Sequence, residues 1–218
     1  MSDPVLEVLG RTALVSVSAT LVALAIGIPL GTALALARLP GRRLVVAVVN
    51  TGMAVPTVVV GLVVALLLWR SGPLGDLELI YTLRGMVVAQ VLIAAPLVTG
   101  ITLAALQLLP ADLPDQLRGL GATRTQLVVR LWLEARLPLL AAAMAGFGHA
   151  VSEVGAATIV GGNLHGDTQV MTTAIVENVG RGDLRGAAVY AAVLLVLAFA
   201  VNGVLSGVQQ RGASWARA

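Results

Sequence analysis

Five long runs of apolar residues alternate with shorter polar connections along the chain. Each is long enough to cross a hydrocarbon core of about 30 Å, which takes roughly 20 helical residues. They fall at about Thr12–Ala37, Leu44–Trp69, Gly85–Leu109, Leu137–Gly161 and Ala187–Val208, and only the fourth contains ionisable side chains, His149 and Glu153. Gly and Pro recur inside these runs, at Gly27, Pro29, Gly31, Pro56, Gly61, Pro96 and Gly100. In a bundle, neighbouring helices and Ser or Thr hydroxyls re-satisfy the backbone groups that a kink frees, so Gly and Pro inside a span are tolerated. Small residues such as Gly27 and Gly31 let helices approach closely. The pattern predicts an all-α polytopic membrane bundle of about five transmembrane helices, forming one domain over residues 1–218 without an internal repeat.

Composition removes the alternative of a water-soluble globule. The chain of 218 residues is 58% hydrophobic and 11% charged, with a mean hydropathy of +0.94, whereas soluble domains carry about 25% charged residues. With no Cys, neither a disulfide framework nor a thiolate metal site is available. All 14 basic residues are Arg. Without Lys no phosphate-binding G-x-x-x-x-G-K-[ST] loop can be built, so any ATP hydrolysis, with its ATP and Mg, is expected on a partner, and no cofactor is expected on this chain. The N-terminus carries Asp3 and Glu7 and lacks a basic n-region, so the first span is expected to remain uncleaved in the membrane. No nucleic-acid partner is expected.

The arginines set an expected orientation. The connection around Pro40, the segment Pro110–Arg136 and the C-terminal tail together carry nine of them, among them Arg38, Arg118, Arg124, Arg130, Arg211 and Arg217. The opposite side holds five, Arg11, Arg70, Arg84, Arg181 and Arg185. An excess of basic residues marks the cytoplasmic face, which predicts N-terminus outside and C-terminus inside the cytoplasmic (inner) membrane.

Pro110–Arg136 is the least membrane-like stretch. Leu117, Leu120, Leu127, Val128 and Leu131 fall at helical spacing with Arg118, Arg124, Arg130 and Arg136 interleaved. This predicts one or two short amphipathic helices with a break at Gly119–Gly121, where Gly adopts a positive φ without penalty. One reading is a basic helix lying on anionic lipid; the other is a docking segment for a partner.

The second reading is what a resemblance implies. Asp115-Gln116-Leu117-Arg118-Gly119-Leu120-Gly121, followed by Ala122-Thr123-Arg124, resembles the E-A-A-x-x-x-G loop of ABC importer permeases, which docks a short helix on the ATPase. Asp115 stands for the Glu, Gln116 and Leu117 replace the two Ala, and Gly121 matches. Glu134 occupies the place of the family's usual Leu-Pro, which comes later here as Leu137-Pro138. Other stretches resemble the tungstate and molybdate branch: the first span, the Val55-Pro56-Thr57-Val58-Val59-Val60-Gly61 helix start, and above all Gly146–Thr168 with Ser152-Glu153-Val154-Gly155-Ala156-Ala157 and Gly161-Gly162-Asn163. His149 departs from the Arg usual in that branch.

The resemblance implies a type I importer fold and an ATPase-coupling set of Asp115, Gln116, Leu117, Arg118, Gly121, Ala122 and Arg124. It further implies a homodimer with a second copy of the chain, two ABC ATPase subunits, and an extracytoplasmic oxyanion-binding protein. Transport would be by alternating access. A sulfate or other small-solute permease is the rival within the family; an intramembrane enzyme or a channel is the rival outside it.

His149 lies one turn before Glu153, at i−4, which puts both on the same helix face. The pair either lines a translocation path or serves structure, with Glu153 bonded to a backbone amide or an Arg. Two ligands do not make a metal site. Thr158, Gly162 and Asn163, with Gly161, Thr168, Thr172 and Thr173 around them, either offer hydrogen-bond donors to a passing dianion or form a helix C-terminus and turn.

Overall fold

The computed structural model describes residues 4–36 and 40–215, the side chains of 211–215 excepted; Asp3, Ala37, Arg38 and Arg217 lie outside that set, as does the Arg211 side chain. The described residues form ten α-helices, a single 3-10 turn at Gly75–Leu77 and no strand. Three helices are individually long and apolar enough to cross a membrane: α1 (Pro4–Leu36), α4 (Leu83–Gln107) and α10 (Leu184–Trp215). The other two predicted spans are each a bent pair.

Leu44–Trp69 is not one helix. It divides into α2 (Arg42–Ala54) and α3 (Thr57–Leu68), bent by 104°. Val55 and Pro56 are both extended, with ψ of 131° and 129°. The ring of a proline pushes the preceding residue out of the helical region, and its missing N–H is best tolerated at a helix start. Leu137–Gly161 likewise divides, into α7 (Arg136–Val151) and α8 (Gly155–Gly161), bent by 57° at Ser152–Val154. Counting each pair as one span gives five. The connection after Gly161 holds an unpredicted helix, α9 (Met171–Gly180). It is too short to span a bilayer, yet Met171, Thr172, Thr173 and Ala174 are buried.

The bundle is organised around α4. Its most extensive neighbour is α1, and it also packs on α2, α3, α7 and α8. Gly27 and Gly31 make the α1 contact possible: a Cβ on Gly27 would lie 2.7 Å from Val98 Cγ1, and one on Gly31 would lie 2.7 Å from the Thr99 carbonyl oxygen. Buried Val15, Ala19, Ala23 and Leu34 complete this face of α1. Pro29 and Pro96 sit inside α1 and α4. Buried Thr12, Thr20 and Thr99 donate their hydroxyls to carbonyls one turn back, which keeps these polar groups satisfied away from water.

Between α4 and α7 the chain forms a hairpin of two short helices, α5 (Leu113–Gly119) and α6 (Arg124–Glu134), separated at the Gly119–Gly121 break that the pattern predicts. Leu127 and Leu131 are buried with Ala105 and Leu106 of α4, and Ala35 and Leu36 of α1 pack against them. Leu120 departs from the expected apolar face, being 85% exposed at the tip.

Gly31→Ala should break a close α1–α4 approach, because the clash includes the Thr99 carbonyl oxygen, backbone that cannot move aside. Overpacking of this kind costs about 1–3 kcal/mol, read as a lower melting temperature of the detergent-solubilised chain. Gly10→Ala, where nothing lies within 4 Å of the new carbon, should leave it unchanged.

Candidate functional site

Two regions carry the candidate residues: the place where the bent pairs meet, and the α5–α6 hairpin. The bent pairs meet at glycines. A Cβ on Gly61 of α3 would lie 2.6 Å from Ala156 Cα, and one on Gly155 would lie 2.6 Å from Val58 Cγ2. At Gly61 the α3 backbone therefore meets the α8 backbone, and at Gly155 a Val58 methyl packs on bare backbone.

Glu153 occupies the break itself. Its Oε1 accepts the Ala156 N–H at 2.8 Å, and its carbonyl accepts the Thr172 hydroxyl at 2.7 Å. The side chain is 6% exposed. A helix beginning inside an apolar region has N–H groups that water does not reach; the carboxylate takes one of them and also sits at the favourable end of the helix dipole. His149 does not join it. The helix that would align the two at i and i−4 ends at Val151, and no hydrogen bond or ion pair connects them. His149 is exposed beside a cavity of about 270 Å³ at the α2–α3 elbow, lined also by Met53, Val55, Thr57 and Leu97.

Ser152 and Thr158 are exposed near His149 in sequence, but their hydroxyls donate to the Gly148 and Val154 carbonyls. Gly162 ends α8 in the left-handed conformation (φ 73°), with its N–H on the Thr158 carbonyl. A Cβ there would meet the Tyr81 ring at 2.6 Å, and the Tyr81 N–H bonds the Val160 carbonyl at 2.8 Å. Asn163 is also left-handed (φ 50°), and its Nδ2 donates to Glu177 Oε2 at 2.9 Å. Thr168 donates to the Gly161 carbonyl and accepts from the Leu164 N–H. Thr173 donates to the Val170 carbonyl. The hydroxyls that the sequence offers to an anion at this turn, with the Asn163 amide and the Gly162 N–H, are engaged within the chain.

A second polar cluster has no counterpart in the sequence reading. Glu177 of α9 accepts from Asn163 and Gln169 and pairs with His165 (3.3 Å) and Arg181. It ties the turn after α8 to α9. The Glu177–Arg181 spacing of one helical turn was its only local signal.

The hairpin is built around Gly121. The Ala122 N–H bonds the Leu117 carbonyl at 3.0 Å and the Gly121 N–H bonds the Arg118 carbonyl at 2.9 Å, with Gly121 at φ 83°. This is the Schellman closure of α5, which asks for Gly at the left-handed position. Thr123 then starts α6 with a capping box, exchanging bonds with Gln126. The turn leaves Asp115, Gln116, Arg118 and Arg124 exposed, with Leu117 and Ala122 half-buried. Asp115 pairs with Arg118 at 2.7 Å, an exposed contact worth roughly 0–1 kcal/mol.

Comparison with known proteins agrees with this architecture. The family described as "Binding-protein-dependent transport system inner membrane component" matches residues 27–212. A probable anion ABC transporter permease protein of Haloferax volcanii is 38% identical over 87% of this chain and 84% of its own. The tungstate uptake system permease protein TupB of Peptoclostridium acidaminophilum is 37% identical over 95% of this chain and 92% of its own. The sulfate transport system permease protein CysT of Escherichia coli is 31% identical over 78% and 65%. An inward-facing structure of the MetNI methionine ABC transporter superposes with a TM-score of 0.77 at 21% identity, covering 97% of this chain and 99% of that one, a likeness of fold.

Glu153→Gln keeps an oxygen for the Ala156 N–H, whereas Glu153→Leu leaves that N–H orphaned in an apolar setting, at a cost of about 1–3 kcal/mol. Thermal melting in detergent should show a clear loss for Leu and a small one for Gln. Equal melting of all three would contradict the capping role.

Proposed function

The chain belongs to the family of binding-protein-dependent transport system inner membrane components, and on that premise we propose that it conducts a tetrahedral oxyanion, tungstate or molybdate, into the cytoplasm. Members of this family are membrane subunits without an ATPase of their own; hydrolysis is the work of a separate subunit, and cargo arrives on a binding protein. The observation that carries the oxyanion reading is the tungstate permease relative, aligned over nearly the full length of both chains. The sulfate relatives support a second reading, sulfate import, over a shorter alignment.

The geometry fits a path better than a storage site. A dianion held tightly needs converging free donors, and the side-chain donors at the α8 turn, with the Gly162 N–H, are spent on the chain's own acceptors. Weak contacts along a path let cargo leave as readily as it enters, and selectivity then rests with the binding protein. His149 is exposed on a segment that belongs in a membrane. An ionisable group there faces protein or water rather than lipid, which supports placing this face against a second copy, with His149, Thr158 and the elbow beside the path. Gly162, Asn163 and Glu153 act on that path through the backbone they hold.

The hairpin, on the N-out and C-in orientation that the arginines favour, faces the cytoplasm. Exposed Asp115, Gln116, Arg118 and Arg124, with the apolar Leu120 beside Gly121, form the surface that docks on the ATPase. ATP-driven closure of two ATPases then biases which side of a bistable dimer is open. The whole chain acts as one membrane domain.

Two measurements test this reading. Cells expressing the complete system should accumulate tungstate or molybdate at concentrations where sulfate does not compete; preferential uptake of sulfate would select the second reading. Gly121→Val forces a β-branched residue into positive φ, at about 1–3 kcal/mol, with no crowding because nothing lies within 4 Å. Hydrolysis stimulated by the loaded binding protein should disappear while the chain still inserts. Normal stimulation would refute the docking role.

A further inference from the structure

Beyond the chain itself, which runs from α6 into α7 through Ala135, the hairpin is held to the membrane helices by two kinds of contact with different mechanical properties. Leu127 and Leu131 of α6 sit in an apolar cluster with Ala105 and Leu106 of α4, with Ala35 and Leu36 of α1 packed against it. Such contact is non-directional and tolerates sliding. Among the described residues, one side-chain hydrogen bond joins the hairpin to a membrane span: Trp132 Nε1 donates to Thr32 Oγ1 at 2.9 Å, across 100 residues of sequence. The indole N–H is a donor only and has a fixed direction. Thr32 is 4% exposed, and its own proton goes to the Ile28 carbonyl at 2.7 Å, so its lone pairs are free for the indole.

The position of Thr32 gives this bond leverage. It lies just after Pro29, which has no N–H for the Ala25 carbonyl and so marks the place where α1 bends most easily. On either side of Pro29, Gly27 and Gly31 hold α1 against Val98, Thr99 and Thr102 of α4. Displacing this end of α1 therefore displaces α4, and α4 packs on the helices of both elbows.

We propose that the Trp132–Thr32 hydrogen bond is the positioning contact through which movement of the hairpin enters the membrane helices. The inference rests on the reading of the hairpin as the ATPase contact. Trp132 touches neither cargo nor nucleotide; its indole fixes the register of α6 on the inner half of α1. Without it the apolar contact remains, and the hairpin slips against α1 instead of pulling it.

The test uses the whole complex, purified by a tag on this chain and placed in proteoliposomes. ATP hydrolysis is measured with and without binding protein loaded with tungstate, or with sulfate where sulfate is what stimulates the wild type, and uptake of that anion is counted per ATP. Trp132→Phe keeps most of the packing and loses the donor; Thr32→Val loses the acceptor; Thr32→Ser keeps it. Both loss variants should retain co-purifying ATPase and lower uptake per ATP about fivefold or more. The double variant should be no worse than either single one, because both remove the same bond, and Thr32→Ser should match the wild type. Wild-type uptake per ATP in both loss variants, or losses that simply add in the double variant, would overturn the proposal. A chain that purifies without an ATPase, or Gly121→Val stimulated normally, would overturn the docking reading and this inference with it.

Discussion

A helix that starts partway through a membrane presents backbone N–H groups where no water can take them, and the Glu153 carboxylate on the Ala156 N–H is what makes the break between α7 and α8 tolerable. Much of the half of the bundle remote from the hairpin hangs on the short helix that follows. The far end of α8 is fixed by the Tyr81 N–H on the Val160 carbonyl and by Tyr81 stacked over Gly162. Its flank is pressed to α3 at Gly61 and Ala156. The Glu153 carbonyl takes the Thr172 hydroxyl, which draws in the start of α9, and the Met171 N–H then bonds Thr12 of α1. A single buried carboxylate thus sits where α1, α3, α8 and α9 are brought into register.

This arrangement separates what holds the molecule from what it does. The polar side chains near the break are occupied by the backbone they organise, and His149 is the ionisable group left facing outward there. The hairpin at the other end is the reverse case. Its inner face is apolar and buried, its outer face carries the charge, and its turn is closed by backbone bonds around Gly121. A rigid turn with an exposed tip suits docking, because little order has to be gained on binding.

The helical membrane class, and the apolar runs that become three long helices and two bent pairs, were legible in the sequence, because hydropathy over about 20 residues reports membrane crossing directly; the family was legible in the residue wording of 115–124 and 146–168. The bends were not. Val55 and Pro56 are as apolar as their neighbours, and Pro29 and Pro96 show that proline in such a run does not by itself end a helix. What differs is that Val55 turned extended, as residues before proline tend to do. Placing His149 and Glu153 on one face assumed a continuous helix, and the break at Ser152 removed that geometry. Helix α9 escaped notice because ten residues with Thr172, Thr173 and Glu177 among them look like a connection. The positive φ of Gly121 was anticipated from residue type, a local property. The Trp132–Thr32 bond was not, since no local pattern pairs residues so distant in sequence.

A hairpin that docks on an ATPase must lie on the cytoplasmic side of the membrane, and impermeant thiol labelling reads that directly. The chain has no Cys, so Thr123→Cys at the exposed start of α6 provides a single reporter, with Asp76→Cys in the connection between α3 and α4 as its counterpart. Asp76→Cys should label in intact cells, and Thr123→Cys only after the membrane is opened. Labelling of Thr123→Cys from outside intact cells would contradict the orientation, the ATPase contact and the proposed direction of transport together.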